Sequence, residues 1–293
     1  MKIKVLVTGA NGQLAKTLKY LFLNTNDQIE FYFFNRKELD ITSQDVLLQS
    51  FNKNKYQYCI NCAAYTNVEL AETEKEKAFL VNAIAVDSVS KICKIYNTIL
   101  IHISTDYVFD GSKSSPYTED DITNPINEYG KSKLQGELNI KKNLEHYYII
   151  RASWLYSAYG HNFLKTIVNK IKDNANLSVT TAQIGTPTSC EDLSRFIYYI
   201  LNTKIAFGVY HFSAKGEATW FDFAREISLS FKSYNQQKLN AVENYKTNAK
   251  RPNYTVLNIG KTEANYQQLK QVTKNYQALL KIECFPGTEK FFH

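Results

Sequence analysis

Apolar residues in the first half of the chain form short continuous runs, separated by stretches in which they recur every three or four positions. The strand-length runs lie at residues 3–7, 29–34, 56–64, 99–103 and 147–152. Helical spacing predicts helices at residues 14–22, 42–51, 68–96 and 127–143. Strands that alternate with helices in this way are typical of a parallel, doubly wound α/β sheet. We therefore predict such a domain over residues 1–153.

The pattern changes after residue 153 and mixes short helices with short strands. Predicted helices lie at residues 162–173, 193–201, 219–231 and 271–280, and predicted strands at 177–180 and 208–212. No linker separates the halves. We therefore expect residues 154–293 to form a smaller C-terminal substrate-binding lobe that is partly interleaved with the sheet, with residues 181–213 returning to the first domain. A chain of 293 residues, 44% of them hydrophobic, is long enough to bury such a core.

The amino-acid composition excludes several kinds of partner but does not identify a function. The net charge is +7, but the lysines are scattered among acids, which indicates a solvated surface and no nucleic-acid partner. Five cysteines without framework spacing favour a reduced compartment. Cys59 and Cys62 fall in one strand and point to opposite faces, so we expect no metal site. The first residues run directly into a strand, and no stretch is apolar enough for a membrane partner. We expect a soluble, cytoplasmic protein.

A glycine-containing turn joins the first strand to the first helix, with the sequence TGANGQLA at residues 8–15. Gly9 allows a tight turn, and Gly12 allows the backbone to approach a pyrophosphate. Free N–H groups and the helix dipole then bind the anion. A plain strand-to-helix turn is the alternative, but the context predicts a Rossmann-like dinucleotide site. Its predicted contacts here are Gly9, Asn11, Gly12, Gln13 and Leu14.

The end of the second strand bears on which cofactor is bound. In proteins that bind NADH, an Asp or Glu at this position usually hydrogen-bonds the ribose 2′-hydroxyl. This chain has the sequence NRK at residues 35–37 instead, and Arg36 can pair with a 2′-phosphate. We therefore predict NADPH, with NADH possible; Arg36 as a surface residue is the alternative. Asp40 is placed to reach the adenine side, and Asn82 either satisfies core backbone groups or supports the site. The remaining predicted cofactor contacts are Arg36, Asp40, Ile41, Ala63, Ala64, Tyr65, Asn82, Ser104, Tyr129 and Lys133.

The candidate chemistry lies after the fourth strand, at the edge where ligands of such sheets bind. Ser104 and Thr105 end this strand, and Tyr129 and Lys133 follow one helical turn apart. Reduction of a ketone needs a hydride donor and an acid. We expect Lys133 to lower the pKa of Tyr129 and to contact the nicotinamide ribose, while Thr105 holds the carbonyl oxygen. Thr105, Tyr129 and Lys133 are the predicted catalytic residues of a carbonyl reductase.

Two nearby residues have open roles. Asp106 either positions substrate hydroxyls or caps its loop, and Trp154 either stacks on a base or sugar or belongs to the core. A Tyr and a Lys at helical spacing usually reflect packing and solvation. Their position behind a glycine turn and a hydroxyl-bearing strand end is what indicates a reductase.

Motifs along nearly the whole chain resemble those of the dTDP-4-dehydrorhamnose reductase family, within the extended short-chain dehydrogenase/reductase superfamily. They lie at residues 8–14, 39–42, 61–72, 104–111, 129–133, 185–188 and 251–252. The resemblance implies NAD(P)H-dependent reduction of dTDP-4-dehydro-6-deoxy-L-mannose to dTDP-L-rhamnose, with Tyr129 as proton donor and Lys133 as its partner. The substrate contacts that we expect on this basis are Thr105, Asp106, Tyr129, Trp154 and Arg251.

The chain departs from the family pattern in the glycine turn. Ala15 replaces the usual third glycine, and Lys16-Thr17 lacks the acid that some members use for a magnesium ion between subunits. A metal-bridged dimer is therefore not expected, and monomer and homodimer both stay open.

Two alternatives share the predicted fold. The first is a reductase or epimerase of another nucleotide-linked keto-sugar, which would differ in the lobe after Tyr156. The second is a cofactor-binding regulatory subunit without catalysis, similar to the β-subunit of methionine adenosyltransferase. The presence of Thr105, Tyr129 and Lys133 argues against the second.

Overall fold

The computed structural model describes residues 2–23, 28–243 and 246–266. Twelve strands lie in this part of the chain, several of them only two residues long. They are β1 Ile3–Thr8, β2 Ile29–Phe34, β3 Tyr58–Asn61, β4 Ile99–Thr105, β5 Tyr147–Ala152, β6 Leu155–Tyr156, β7 Leu177–Thr180, β8 Ile184–Gly185, β9 Thr188–Ser189, β10 Gly208–Phe212, β11 Ala218–Thr219 and β12 Leu239–Val242.

Six of these strands form one sheet in the order β10-β5-β4-β3-β1-β2, with every pair parallel. β10 comes from the second half of the chain and pairs beside β5, so the first domain's sheet is completed by a later segment. The carboxyl ends of β1, β3 and β4 lie at one edge, where parallel α/β sheets bind ligands. The prediction of a doubly wound parallel sheet is confirmed.

Helices cover both faces of the sheet and build the lobe beside it. They are α1 Gln13–Phe22, α2 Gln44–Asn54, α3 Val68–Ala71, α4 Lys75–Phe79, α5 Ala85–Ile95, α6 Glu128–Asn143, α7 Phe163–Lys172, α8 Cys190–Asn202, α9 Trp220–Leu229 and α10 Gly260–Asn265. A π-helical turn spans Leu80–Ile84, and 3₁₀ turns span Asp106–Val108 and Gln236–Lys238.

Three apolar clusters show how these layers pack. α1 and α8 cover one face of the sheet, where Leu18 and Phe196 are fully buried. α2, α5 and α6 cover the other face through residues such as Phe51 and Val89. A third cluster joins α7 and α9 and includes Phe223. The amphipathic helices therefore bury their apolar faces in separate cores, two against the sheet and one in the lobe.

The predicted helix over residues 68–96 is wrong as one continuous element. It is divided into α3, α4, the π-helical turn and α5, because neighbouring groups bind side chains between these pieces. Glu72 accepts a hydrogen bond from the backbone N–H of Glu128 (2.9 Å), and Glu74 accepts one from the hydroxyl of Tyr65 (2.9 Å). Tertiary partners thus override a strong local pattern.

Other predicted bounds differ only at their ends. The strand predicted at 56–64 shortens to Tyr58–Asn61, and the helix predicted at 42–51 extends over Gln44–Asn54. The predicted helix at 271–280 lies outside the described residues. Within residues 2–23, 28–243 and 246–266, no helix has the length and apolarity needed to cross a membrane.

Candidate active site

The glycine turn has the geometry of an anion cradle. Gly9 has φ +66°, and a Cβ placed on it would lie 2.7 Å from the backbone nitrogen of Ala63, so only glycine fits. Gly12 precedes α1 in an extended conformation and offers no capping side chain, and the first turn of α1 holds no acid. The N–H groups at this helix end are therefore available to a phosphate. The residues fit a dinucleotide.

The other residues of the turn have different surroundings. Asn11 is exposed, whereas the side chain of Leu14 is buried in the core, so only its backbone can face an anion. Gln13 donates to the carbonyl of Leu155 (3.2 Å) and accepts from Asn162 (3.1 Å). The side chain of Gln13 thus joins the glycine turn to the segment that follows β5.

Arg36 and Asp40 contact each other beyond β2. The Arg36 Nε donates to Asp40 Oδ2 (3.1 Å), and the Arg36 side chain is 79% exposed. Burial raises the pKa of Asp40, but hydrogen bonds from Thr42 and the charge of Arg36 outweigh it and hold this pKa below its usual value. Ile41 is buried in the core. Arg36 is therefore an exposed cation at the position where a 2′-phosphate is expected.

Asn82 organises the segment after β3. Its Oδ1 accepts from the N–H of Tyr65 (2.9 Å), and its Nδ2 donates to the carbonyl of Tyr65 (2.9 Å) and to Ser132 (3.0 Å). The partly buried residues Ala63 and Ala64 precede Tyr65 directly. Both amide atoms of Asn82 thus serve protein partners, and the side chain holds the 63–65 segment against α6.

Thr105, Asp106 and Tyr129 converge at the carboxyl end of β4. The Thr105 hydroxyl donates to Asp106 Oδ1 (3.0 Å) and accepts from the N–H of Tyr107 (3.1 Å). Burial raises the pKa of Tyr129 above its usual value, and the nearby Thr105 hydroxyl opposes this rise. The expected lowering of this pKa by Lys133 is not seen: the groups that act on the Tyr129 pKa besides burial are Thr105, Asp106 and Tyr107. A raised pKa keeps Tyr129 protonated, as a proton donor requires.

Asp106 combines deep burial with an unused acceptor. Only 3% of the residue is exposed, and its Oδ2 has no hydrogen-bond partner in the described part of the chain. Burial raises the pKa of Asp106 to about 6, against the opposing effect of the Thr255 and Thr105 hydroxyls. A buried acceptor without a partner is costly unless a ligand supplies a donor, so Asp106 is suited to bind a substrate hydroxyl.

Lys133 follows Tyr129 by one turn on α6 and is 2% exposed. Its Nζ donates to the carbonyl of Ile103 (2.6 Å) and lies 3.2 Å from Nε2 of His102. Burial lowers the pKa of Lys133 to about 8, although Glu137 and Cys62 oppose this shift. The amine is therefore held in place by β4 and exchanges its proton near neutral pH.

Ser104, predicted as a cofactor contact, is bound to a buried ion pair. Its hydroxyl donates to Glu137 Oε1 (2.5 Å), and Arg151 donates to both oxygens of Glu137 (2.7 Å for the shorter Nη2–Oε2 contact). Both charged side chains are at most 2% exposed. The ion pair fastens α6, which carries Tyr129 and Lys133, to β4 and β5.

Trp154 stacks on a second tryptophan that sequence reasoning missed. The rings of Trp154 and Trp220 are parallel, with centroids 3.6 Å apart, and Trp220 donates to Gln183 (3.0 Å). Trp154 has φ +45°, and its ring lies against Gly185, where a Cβ would be 2.6 Å from it. One face of Trp154 is thus covered by protein. The only sequence signal for Trp220 was the Thr219 cap beside it.

The side chain of Arg251 forms an ion pair with Glu69 in the first half of the chain, a partner that the sequence did not reveal. Its Nη2 donates to Glu69 Oε1 (2.6 Å), and Glu69 Oε2 accepts from the N–H of Asn248 (2.8 Å). The Nε of Arg251 is buried without a partner among the described residues, and Tyr107 lies close to the guanidinium. Arg251 therefore has an unused donor beside Tyr107.

The arrangement supplies each part that a ketone reduction needs except the hydride. It offers an anion cradle, a protonated phenol, a buried amine, and polar groups with unused hydrogen-bonding capacity. Within the described ranges, no group of three His, Cys, Asp or Glu side chains is placed to hold a metal ion.

Comparisons with known proteins agree over nearly the whole chain. Residues 2–283 match the family model described as RmlD substrate binding domain. A dTDP-4-dehydrorhamnose reductase from Aggregatibacter actinomycetemcomitans is 36% identical over 273 residues, which cover 89% of this chain and 92% of that protein. A dTDP-4-keto-6-deoxy-D-glucose reductase from Streptomyces niveus is 36% identical over 221 residues, covering 75% and 76%.

A solved structure matches equally well. The crystal structure of dTDP-4-dehydrorhamnose reductase from Bacillus anthracis str. Ames in complex with NADP superposes with a TM-score of 0.89 at 35% identity. The match covers 97% of this chain and 99% of that one. The fold and its sequence are thus shared from the glycine turn to the lobe.

Proposed function

The chain belongs to the RmlD substrate binding domain family, and from this premise we propose that it catalyses NAD(P)H-dependent reduction of dTDP-4-dehydrorhamnose. The 4-keto group of dTDP-4-dehydro-6-deoxy-L-mannose becomes the 4-hydroxyl of dTDP-L-rhamnose. The observation that carries the proposal is the convergence of Thr105, Asp106 and Tyr129 at the sheet edge that also holds the glycine turn. The substrate is taken from the names of the relatives, and the catalytic roles are argued from the positions of these side chains.

The cofactor part of the proposal rests on the glycine turn and on Arg36. The uncapped N-terminus of α1 would hold the pyrophosphate, with Gly9 and Gly12 allowing its approach. When bound, NAD(P)H supplies the hydride. The NADP complex of the Bacillus anthracis relative supports NADPH, and Arg36 would meet its 2′-phosphate. Asn82 would act indirectly, by holding the 63–65 segment.

The chemical step is assigned to three side chains. Tyr129 donates the phenol proton to the carbonyl oxygen as the carbon gains hydride, and the Thr105 hydroxyl binds the same oxygen and keeps it beside Tyr129. Lys133 stabilises the phenolate that results, because an ammonium nearby favours the charged form. Asp106 Oδ2 accepts from a sugar hydroxyl, and Arg251 Nε and Trp154 complete the substrate contacts.

The lobe and the assembly remain parts of the proposal. We assign residues 154–293 to substrate binding, supported by the separate core around Phe223. The reduced cysteines at 59, 62, 93 and 190 support a cytoplasmic location. A monomer or a homodimer without a bridging metal is the assembly that we propose.

Tyr129→Phe tests the assignment of the proton donor. We expect kcat to fall by about 10²–10⁴-fold, because the ring is kept and only the acid is lost. The KM for NADPH should change little. Tyr148→Phe is the matched control, since its hydroxyl donates to the carbonyl of Ile205 (2.8 Å), and it should retain kcat. Equal activity in both variants would remove Tyr129 from the mechanism.

A second candidate is reduction of a different nucleotide-linked 4-keto-sugar. It is favoured by the Streptomyces niveus relative, which carries another substrate name at the same 36% identity. NADPH oxidation measured with a panel of nucleotide 4-keto-sugars separates the two. Highest kcat/KM with dTDP-4-dehydrorhamnose supports the proposal, and turnover restricted to another sugar refutes it.

A further inference from the structure

A row of buried polar side chains crosses the sheet beneath the site and ends at Lys133. The Thr8 hydroxyl lies 2.6 Å from Asn61 Oδ1, and Asn61 Nδ2 lies 3.1 Å from His102 Nδ1. His102 Nε2 lies 3.2 Å from Lys133 Nζ. These four side chains are at most 2% exposed, so water does not compete for their hydrogen bonds.

A backbone group sets the direction of these hydrogen bonds. The N–H of Ala63 donates to the Thr8 hydroxyl (3.3 Å), and that hydroxyl donates in turn to Asn61 Oδ1. The amide of Asn61 is then left to donate through Nδ2, which makes His102 Nδ1 an acceptor. A neutral imidazole with a bare Nδ1 carries its hydrogen on Nε2. His102 therefore presents an N–H to the amine of Lys133.

We propose that His102 is a positioning residue for Lys133: its Nε2–H, in the tautomer selected by Thr8 and Asn61, donates to the Lys133 amine whenever that amine is neutral, so that Lys133 can lose its proton in the buried site and regain it to act as the ammonium beside the phenolate. The inference rests on the proposed function for its catalytic consequence, but not for its geometry. The Lys133 amine then accepts from His102 and donates to the Ile103 carbonyl, which leaves one hydrogen for a ligand above it.

Burial and the neighbouring acidic groups act on Lys133 in opposite directions. Burial lowers the pKa of His102 well below its usual value, so the imidazole stays neutral. Burial also lowers the pKa of Lys133, to about 8. The other titratable groups that face Lys133 are Glu137, on its own helix, and Cys62, after β3, and both favour the ammonium. The Nε2–H of His102, on β4, opposes the effect of Glu137 and Cys62 because it stabilises the neutral Lys133 amine.

The tautomer of His102 is directly measurable in the wild-type protein without added nucleotide. Protein labelled with ¹⁵N-histidine reports which ring nitrogen carries hydrogen, with the His102 signal assigned through the backbone resonances of the wild-type protein. We expect the hydrogen on Nε2 throughout the pH range in which the protein stays folded. Hydrogen on Nδ1, or a protonated ring at neutral pH, would overturn the inference. This measurement does not depend on any buried variant folding.

Asn61→Asp reverses the proposed polarity. A carboxylate accepts from His102 Nδ1–H, so Nε2 becomes an acceptor that favours the Lys133 ammonium. The midpoint of the Lys133 titration, followed by ¹³C-lysine NMR, should rise from about 8 by roughly one unit or more. The alkaline limb of the kcat profile should move in the same direction.

A double variant distinguishes the effect of the reversed hydrogen bonds through His102 from the direct effect of the new carboxylate charge on Lys133. Asn61→Asp combined with His102→Phe keeps the new carboxylate but removes the imidazole that would transmit it. We expect Asn61→Asp to shift the Lys133 midpoint much less on the His102→Phe background. An equal shift on both backgrounds would refute the role of His102. These titrations need no substrate, so inactivity toward dTDP-4-dehydrorhamnose would refute the proposed function and leave this inference standing.

Discussion

At the scale of single residues, the buried carboxylate of Asp106 lowers the stability of the folded protein. Its carboxylate is buried, and Oδ2 has no partner in the described part of the chain. Burial raises its pKa from 3.8 to about 6, so ionisation at neutral pH works against folding. Its position beside Thr105 at the carboxyl end of β4, rather than its burial alone, is what points to a function. If Asp106 binds the substrate as proposed, the site loses stability at this residue in exchange for that contact.

Asp106→Asn should increase stability while impairing catalysis. A raised folded-state pKa means that this group's contribution to stability is full below about pH 4 and is lost as pH rises through 6. At pH 8 the variant should therefore exceed the wild type by up to about 3 kcal/mol in unfolding free energy. The advantage should vanish near pH 4, as urea unfolding at both pH values would show.

The kinetic effect of Asp106→Asn has a matched control. Asp192 is also buried, its Oδ2 has no partner among the described residues, and burial raises its pKa to about 6. Asp192→Asn should change stability in the same direction and leave kcat/KM unchanged, whereas Asp106→Asn should lower kcat/KM about tenfold or more. A less stable Asp106→Asn at pH 8 would contradict the account.

Arg36→Ala tests cofactor preference. The Arg36 side chain is 79% exposed and pairs with Asp40, an arrangement that contributes little to stability. Its removal should raise the KM for NADPH about tenfold and leave that for NADH unchanged, because only NADPH carries the 2′-phosphate. Initial rates with each cofactor provide the measurement, with Lys37→Ala as control. An unchanged NADPH KM would show that Arg36 is merely a surface residue.

At the scale of elements, the Glu137–Arg151 ion pair connects the catalytic helix to the sheet. It joins α6 to β5, and the Ser104 hydroxyl adds β4. Breaking a buried pair leaves an uncompensated charge, whereas removing both partners does not. The position of Tyr129 and Lys133 thus depends on a buried contact between α6 and the sheet.

Glu137→Gln and Arg151→Met should each lower the unfolding free energy by about 3–5 kcal/mol. The double variant Glu137→Met with Arg151→Met should lose less than the sum of the single changes. Urea unfolding of all the variants forms the test, and Lys131→Met, at an exposed lysine of the same helix, should cost under about 0.5 kcal/mol. Additive losses would mean that the two side chains act independently.

Elements with strong local patterns were predictable from the sequence. The strands at 29–34, 147–152 and 208–212 and the helix beginning near Asn127 match the structure closely. The broken helix at 68–96 was not predictable, because its division depends on Glu72 and Glu74 binding distant groups. Local periodicity carries no information about such partners.

The candidate site residues could be predicted from sequence motifs, whereas the residues that contact them could be identified only in the folded structure. Thr105 and Tyr129 were identified from order along the chain, and the structure brings them together. Glu69, Trp220 and His102 were missed, because their roles depend on neighbours far away in sequence. The one sequence signal for His102 is a titratable residue inside an apolar strand.

At the scale of the whole molecule, Glu69 links the two parts of the chain. It lies on α3 and binds Arg251 and the N–H groups of Asn248 and Ala249. Asn127 donates to the carbonyl of Lys250 (2.9 Å) and ties the same segment to the start of α6. The segment that carries Arg251 is therefore fastened to the catalytic domain.

Glu69→Gln should loosen this link. We expect the KM for the nucleotide-sugar to rise several-fold, since Arg251 loses its ionic partner, while the KM for NADPH stays unchanged. The loss in unfolding free energy should be only about 1 kcal/mol, because both side chains are partly exposed. Glu191→Gln, which breaks an exposed pair with Arg195, is the control and should leave both KM values unaltered.

The central claim is hydride transfer from NADPH to the keto carbon of the sugar. Its most direct test is incubation with dTDP-4-dehydrorhamnose and NADPH deuterated at the transferable C4 position, followed by NMR of the product. The account predicts dTDP-L-rhamnose with deuterium at C4 of the sugar and a loss of this product in Tyr129→Phe. Unlabelled product, or no product from the wild-type protein while another 4-keto-sugar is reduced, would contradict it.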